Sequence, residues 1–223
     1  NYSTVSGGYN NTASNNYSTV SGGTFNIAQG NKSTVSGGQE NCAFGDLSFI
    51  GGGTGHTACV RATVVGGIKN SATGSCSFIG AGQCNTASGN YSTISGGNKN
   101  IASNYWAFIG SGSENIASNV FSFLGGGFRN TTSGYLAGIS SGSEHIASGY
   151  SSFIGGGLRN KTCSAYSTIV GGAVNQANGL ATFIGGGQEN TASGSYSGIL
   201  GGICNTASTN CSVIVGGSNN IIS

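Results

Sequence analysis

The segment Tyr2-Ser-Thr-Val-Ser-Gly-Gly8 decides the fold, because it returns as Tyr17-Ser-Thr-Val-Ser-Gly-Gly23 and, with one conservative change, as Tyr91-Ser-Thr-Ile-Ser-Gly-Gly97. Aligned on the step from an aliphatic residue to glycine, the chain divides into fifteen coils with a period of 15 residues, which is shortened to 14 in one coil at 47–60. The coils begin at residues 2, 17, 32, 47, 61, 76, 91, 106, 121, 136, 151, 166, 181, 196 and 211. A repeat of fixed short period is the signature of a solenoid. Positions within each coil are numbered from 1 to 15.

Several positions of the repeat have the regularity of a packed core. Position 4 is always Val, Ile or Leu, position 12 is Ala in twelve coils, and position 7 is always Gly. Because side chains alternate across a strand, positions 2 and 4 form the inward pair of one strand, and positions 10 and 12 form that of a second. We therefore predict two short strands and two tight corners per coil. Gly at positions 6 and 7, and Gly or Asn at position 14, suit corner residues that need a positive φ.

Stacking these coils predicts an all-β protein, a β-solenoid that forms a flattened two-sheet β-roll. We expect fifteen coils with parallel, in-register stacking, and a single continuous repeat domain over residues 1–223. Position 10 is Asn in thirteen coils and His in two. An inward column of Asn side chains would satisfy the backbone groups of the corners without water. The predicted Asn ladder consists of Asn11, Asn26, Asn41, Asn70, Asn85, Asn100, Asn115, Asn130, Asn160, Asn175, Asn190, Asn205 and Asn220.

The composition excludes several classes of partner. Charged residues make up 5% of the chain, against about 25% in an ordinary soluble domain. The net charge of +2 gives no electrostatic basis for binding nucleic acid or an acidic membrane. No apolar run approaches the ~20 residues of a membrane helix, so we expect no membrane insertion. The chain starts at Asn1 without a visible signal peptide, which we interpret as a mature product or an excised segment.

The sequence offers no set of residues for catalysis or metal binding. His56 and His145 occupy the Asn column, where a structural substitute for Asn is the favoured interpretation. Asp46 is the only aspartate, which excludes the Gly-rich calcium repeats. No nucleophile, base and acid can be brought together. We therefore predict no enzyme, no catalytic residue, no metal site and no cofactor. The seven cysteines have no disulfide framework, so we expect free thiols or contacts between chains.

The motif Ser-x-Val/Ile-x-Gly followed by Asn-x-Ala-Ser-Gly resembles the head repeats of trimeric autotransporter adhesins and related viral or phage fibre proteins. That resemblance implies a β-roll that stands on a surface and attaches it to something else. The half-coil pattern Asn-x-Ala/Val-x-Gly also resembles the repeats of grass ice-recrystallisation-inhibition proteins, another flattened β-roll. Both resemblances cover the whole chain. The chain departs from the adhesin repeats in its Phe/Gly alternation and its cysteines, and from the grass repeats in having Ala at position 12 and phenylalanines at position 3.

Positions 3 and 5 point outward on the first sheet, and they covary. Every coil with Phe at position 3 has Gly at position 5, and no other coil does. One interpretation is that each ring lies half-exposed across the glycine of its own coil. The interpretation we favour is a self-association face covered by another chain, since a row of exposed rings is a large apolar patch. The face consists of Phe49, Phe78, Phe108, Phe123, Phe153 and Phe183 with Gly51, Gly80, Gly110, Gly125, Gly155 and Gly185.

Positions 11 and 13 point outward on the second sheet and carry mainly Thr or Ile with Ser. A flat grid of β-branched and hydroxyl side chains suits an ice-binding or ligand-binding surface, but it also suits an ordinary solvated sheet. Lys161, Gln176 and Asn178 interrupt it. The candidate ice or ligand face consists of Thr86, Ser88, Ile101, Ser103, Ile116, Ser118, Thr131, Ser133, Ile146 and Ser148.

Two further columns follow the edges of the coil. Position 9 alternates in charge through Lys99, Glu114, Arg129, Glu144 and Arg159, which predicts an ion ladder between adjacent coils. Position 1 is often aromatic, and we expect ring stacking along that edge rather than a strip that binds sugars. The aromatic residues of position 1 include Tyr2, Tyr17, Tyr91, Trp106, Phe121, Tyr166 and Tyr196.

Taken together, these patterns predict a structural, self-associating fibre or adhesin-type repeat protein located outside the cell or on a virion or cell surface. The predicted partner is the chain itself, both laterally and end to end, with a surface, a glycan or ice as a further ligand. End-to-end contact would continue the Asn column from Asn220 into Asn11 of the next molecule. The alternative function is an ice-binding protein that uses the second sheet.

Overall fold

The computed structural model describes residues 2–223 and confirms the predicted fold class. In these residues the chain has no helix, and it forms a parallel β-solenoid of about fifteen turns with its strands in two sheets. Strands at positions 3 and 4 form sheet one, and strands at positions 11 and 12 form sheet two. The chain divides into two compact units, the first ending at Gly112 and the second spanning Ser113–Ser223.

In the first unit every strand is two residues long and pairs in parallel with the strand one turn away, in register. Its sheet one contains Thr4–Val5, Thr19–Val20, Thr34–Val35, Phe49–Ile50, Thr63–Val64, Phe78–Ile79, Thr93–Ile94 and Phe108–Ile109. Its sheet two contains Thr12–Ala13, Ile27–Ala28, Cys42–Ala43, Thr57–Ala58, Ser71–Ala72, Thr86–Ala87 and Ile101–Ala102. The 14-residue coil keeps this register, because Phe49 still pairs with Thr63 and Ile50 with Val64.

The second unit repeats the same arrangement. Its sheet one contains Phe123–Leu124, Gly138–Ile139, Phe153–Ile154, Thr168–Ile169, Phe183–Ile184, Gly198–Ile199 and Val213–Ile214. Its sheet two contains Ile116–Ala117, Thr131–Thr132, Ile146–Ala147, Lys161–Thr162, Gln176–Ala177, Thr191–Ala192, Thr206–Ala207 and Ile221–Ile222. In both units a third row of single parallel bridges runs through position 8, as between Ala173 and Gln188, a ladder that the two-strand interpretation did not contain.

The core of each unit is one side chain thick, as the alternation predicts. Between the first and the last coil, the aliphatic residues of position 4 and the alanines of position 12 are buried, and so are the small hydroxyl residues of position 2 and the asparagines of position 10. In the second unit the core places Ile169, Ile184 and Ile199 against Ala177, Ala192 and other alanines of position 12. The predicted inward and outward phase of both sheets is therefore confirmed.

The corners differ from the prediction. Position 7 glycines have positive φ, for example 87° at Gly172, but position 6 does not, and neither does position 14. Glycine at position 14 has another cause: a Cβ on Gly149 would overlap the backbone of Ser164 in the next coil. Instead, non-glycine residues at positions 1 and 9 have φ between 49° and 60°.

These left-handed residues reverse the direction of hydrogen bonding along the stack. Strand N–H groups donate to the following coil, as Thr168 does to the carbonyl of Thr182. At the corners the N–H of Val174 donates back to the carbonyl of Leu158. A left-handed conformation costs a non-glycine residue roughly 1–2 kcal/mol, and the hydrogen bond that each one gains offsets that cost. Residue type does not indicate that positions 1 and 9 are left-handed, because Tyr, Lys, Glu and Val all occupy them.

Candidate functional site

The candidate functional regions are surfaces. Among the described residues of each unit there is no pocket. Within residues 2–223, no three His, Cys, Asp or Glu side chains lie close enough to hold a metal ion together. No helix in that range has the length and apolar character needed to cross a membrane. The repeat places its side chains in columns on the two sheets and along the edges of the coils, and these columns are the candidate sites.

The Asn column is a continuous hydrogen-bonded ladder in each unit, and Asn175 shows the pattern. Its N–H donates to Oδ1 of Asn160 at 2.9 Å. Its Nδ2 donates to the carbonyl of Gly171 in its own coil at 3.1 Å and to that of Gly187 in the next coil at 3.0 Å. Its own Oδ1 accepts the N–H of Asn190 at 3.0 Å. One buried amide thus satisfies several corner groups, which makes the predicted ladder structural.

The two histidines replace Asn in this ladder. Nδ1 of His56 accepts the N–H of Asn70 at 3.0 Å, and Nδ1 of His145 accepts the N–H of Asn160 at 3.0 Å. Each histidine N–H donates to Oδ1 of the preceding ladder residue, Asn41 or Asn130. An Nδ1 that accepts a hydrogen bond carries no proton, so both rings are neutral. Within the described residues neither Nε2 has a hydrogen-bond partner of good geometry, so each histidine satisfies fewer groups than an asparagine would.

We expect these histidines to make folding sensitive to acid. Burial lowers the pKa of His56 and of His145 below the value of about 6.5 of the unfolded chain. The unfolded state therefore binds more protons below that pH, and the stability present above it is lost as the pH falls through the lowered folded pKa. A His56→Asn/His145→Asn variant should lose less stability than the parent protein between about pH 7.5 and pH 5. Urea unfolding midpoints of both proteins at the two pH values test this, and equal losses would contradict it.

The self-association face lies outward on sheet one in both units, where the sequence placed it. The rings of Phe49, Phe78, Phe123, Phe153 and Phe183 are between 38% and 44% exposed, so each is more than one third open. Phe108 is half-buried. None of the residues at positions 3 and 5 carries a charge. The face is therefore an uncharged column of half-exposed rings.

The pairing of Phe with Gly has a cause inside the chain. A Cβ on Gly51 would lie 2.5 Å from the carbonyl oxygen of Val65 in the next coil and 3.5 Å from a ring atom of Phe49. Gly80 has the same relation to Ser95 and Phe78. Each of these rings lies over the glycine of its own coil, so covariation of the two positions does not by itself require a partner chain. Five of the six rings nevertheless remain more than one third exposed.

In the second unit a phenylalanine ring also packs over a small residue of the neighbouring coil. Gly138 is buried, and a Cβ added to it would meet the ring of Phe153 at 3.0 Å. Position 3 in this unit alternates between rings, at Phe123, Phe153 and Phe183, and smaller residues, at Gly138, Thr168 and Gly198. The ring of Phe153 fills the space over Gly138, whereas a Cβ on Gly198 would have no neighbour closer than 4.0 Å, so Gly198 leaves room for a ring of a second molecule.

The candidate ice or ligand face lies outward on sheet two. Ile101, Ile116 and Ile146 are between 37% and 41% exposed, and Thr86 and Thr131 beside them are partly exposed. Further along the second unit, Lys161 and Gln176 are exposed and break the row, as the sequence indicated. This face carries fewer aromatic rings than sheet one and more hydroxyl groups.

One edge carries stacked aromatic side chains. The predicted stacking at position 1 is present for Tyr2 with Tyr17, whose ring centroids are 5.3 Å apart, and for Tyr91 with Trp106 at 5.5 Å. The sequence interpretation missed position 15, where Tyr135 stacks on Tyr150 at 5.4 Å with an interplanar angle of 11°. The signal was available, since tyrosine occupies position 15 in adjacent coils.

The opposite edge carries ion pairs in the second unit. Nε of Arg129 lies 2.7 Å from Oε2 of Glu114, and Nε of Arg159 lies 2.6 Å from Oε2 of Glu144. The hydrogen bond that Arg159 donates lowers the pKa of Glu144, and donation to the carboxylates of Glu114 and Glu144 raises the pKa values of Arg129 and Arg159. All four side chains are solvated, so we assign them a role in register rather than in binding. The seven cysteines are free thiols.

No known protein-family model matches the chain, and no curated protein matches it. Its surfaces alone therefore support a proposal about its function.

Proposed function

We propose that the protein is a structural, self-associating fibre or adhesin-type repeat protein that works outside the cell or on a virion or cell surface. The observation that carries the proposal is the column of half-exposed phenylalanines on sheet one. A contiguous apolar surface of this kind is characteristic of an interaction site in a soluble protein. The partner we propose is a second copy of the chain.

Two features of sheet one support a partner of the same kind. The residues at positions 3 and 5 are uncharged, so two identical faces meet without like-charge repulsion. The relief of sheet one is also self-complementary, because a ring such as Phe183 on one molecule matches an open low position such as Gly198 on another, where an added Cβ would have no neighbour closer than 4.0 Å. Two copies related by a twofold axis would use the same patch on each side.

Replacing Phe123, Phe153 and Phe183 by serine should separate lateral partners without unfolding the coils. The three rings lie outward, so their loss removes apolar contact area and leaves the core and the Asn ladder intact. Size-exclusion chromatography with light scattering should give a multiple of the chain mass for the parent protein and the monomer mass for the variant. Circular dichroism checks that the strands persist.

A matched variant on the other sheet serves as the control. Ile116→Ser with Ile146→Ser removes apolar area of similar exposure from sheet two and should leave the parent mass unchanged. A parent protein that is a monodisperse monomer at high concentration would contradict the proposal. Equal dissociation of both variants would place the interface elsewhere.

A second candidate function is ice binding by sheet two. The observation that favours it is the in-register row of outward Thr and Ile side chains at position 11, backed by Ser at position 13. A flat, regularly spaced array presents methyl and hydroxyl groups at the strand spacing of about 4.8 Å. Thermal hysteresis and ice-crystal shaping, measured on the parent and on Thr131→Lys, separate this function from the fibre proposal. A parent protein without shaping activity removes the ice-binding candidate.

A further inference from the structure

Two pairs of tyrosines, one in each unit, stand face to face on the surface. Tyr135 and Tyr150 have ring centroids 5.4 Å apart and planes inclined by 11°. Tyr2 and Tyr17 have centroids 5.3 Å apart and an angle of 17°. All four rings are more than one third exposed. Each pair therefore combines parallel phenol rings with access for a reagent from solution.

The backbone holds the pair in the second unit at this spacing. Tyr135 and Tyr150 occupy position 15 of adjacent coils, one period apart in the chain. The carbonyl of Tyr135 accepts the N–H of Ser151 at 2.8 Å, and the carbonyl of Tyr150 accepts the N–H of Tyr166 at 2.8 Å. These corner hydrogen bonds fix the Cα positions of both tyrosines, so the two rings stay within reach of each other while the solenoid is folded.

We propose that Tyr135 and Tyr150 form an oxidative cross-linking site that joins adjacent coils through a dityrosine bond, and that Tyr2 and Tyr17 form a second one. The reagent is a one-electron oxidant, such as a peroxidase acting with hydrogen peroxide. The folded chain supplies the proximity of the two rings, which converts a bimolecular coupling into an intramolecular one. The product is a covalent staple between successive turns.

The electron and proton count of the coupling is balanced. Each phenol loses one electron and one proton to become a phenoxyl radical. The two radicals join through their ortho carbons, and the ortho hydrogens move by way of solvent to the phenol oxygens as the rings become aromatic again. Overall the pair loses two electrons and two protons, and one hydrogen peroxide takes them up to become two waters.

Other tyrosines of the chain lack one of the required features. Tyr150 and Tyr166 approach at 5.5 Å but are inclined by 72°, so the edge of one ring faces the plane of the other. Tyr91 stacks on Trp106, and an indole does not form the same product. In the described part of the chain Tyr196 has no ring contact and is 62% exposed, so it can only couple between molecules. These residues provide internal controls.

Oxidation of the dilute protein by horseradish peroxidase and hydrogen peroxide tests the proposal. Cleavage after Lys and Arg releases residues 130–159 as one peptide, which contains only Tyr135 and Tyr150 as tyrosines. This peptide should lose the mass of two hydrogens and gain dityrosine fluorescence, at a rate that does not depend on protein concentration. Tyr150→Phe should abolish the mass loss while preserving the stack, and Tyr196→Phe should leave it unchanged.

Three outcomes would overturn the proposal. They are a mass loss that persists in Tyr150→Phe, coupling that occurs only between molecules, and a link between Tyr150 and Tyr166 that dominates over the stacked pair. Oxidation of the urea-unfolded protein supplies the reference rate, and coupling there should be slower. The Phe123/Phe153/Phe183 variant should cross-link as the parent does, so failure of lateral association and failure of this proposal are distinguishable.

Discussion

Replacing Gly172 by alanine should destabilise the protein by about 2–5 kcal/mol, the combined effect of a strained φ and an overpacked contact. Gly172 has φ of 87°, and a Cβ there would overlap the carbonyl oxygen of Gly187 in the next coil. That carbonyl cannot move aside cheaply, because it accepts hydrogen bonds from the N–H of Ala173 and from Nδ2 of Asn175. The clash and the loss of ladder bonds therefore act together.

The adjacent glycine supplies the control for that prediction. A Cβ on Gly171 would meet no atom within 4 Å, and its φ is not positive. Gly171→Ala should be neutral or stabilising by up to about 1 kcal/mol, because alanine lowers the entropy of the unfolded chain. Urea unfolding followed by circular dichroism measures both variants. Equal midpoints would show that position 7 does not require glycine.

The contrast between these two glycines also shows that invariance across all coils, and not frequency, indicates a glycine that the fold requires. Gly at position 7 occurs in every coil, and the structure requires it in every coil. Gly at position 6 is common but has open space around it, and its turn geometry was predicted wrongly from composition. A glycine that tolerates no replacement and one that is merely frequent look alike in a single coil, and only comparison of all coils separates them.

The fold could be predicted from the sequence because the same residue pattern recurs in fifteen coils. Alternation around Val20 or Ile169 places an aliphatic residue inward, and the period places the next one directly above it. The left-handed conformation of the corner residues could not be predicted from the sequence. It arises because the N–H of each corner residue donates to a carbonyl of the preceding coil, and no side-chain pattern indicates this backbone hydrogen bond. Val174, a β-branched residue with φ of 58°, is the clearest case of tertiary hydrogen bonding overriding local preference.

The candidate surfaces could be predicted from the sequence only in part. Sequence alternation identified which side of each sheet faces outward, and it therefore identified the phenylalanine column. It could not distinguish a ring that packs over the glycine of its own coil from a ring that binds another chain, because both explain the covariation of Phe at position 3 with Gly at position 5. The stacked pair of Tyr135 and Tyr150 was missed because position 15 has no consistent residue type along the chain, although tyrosine occupies it in these two adjacent coils.

Replacing Ile169 by alanine should cost about 2–5 kcal/mol of folding stability, the range for cavities that do not collapse. Ile169 is fully buried in the core of the second unit. Its neighbours are held in place by backbone hydrogen bonds, such as that from the N–H of Val170 to the carbonyl of Ile184 at 2.9 Å. A core one side chain thick has no second layer that could move into the space.

The same substitution at an exposed isoleucine is the matched control. Ile146 lies outward on sheet two and is 41% exposed, so Ile146→Ala removes the same atoms without opening a cavity. Its cost should stay within about 1 kcal/mol, the span of strand preference on a solvated face. The two urea midpoints, measured at a concentration where the oligomeric state of both variants is the same, should differ clearly. Coincident midpoints would mean that the hydrogen-bonded ladders, and not the aliphatic column, carry most of the stability of each coil.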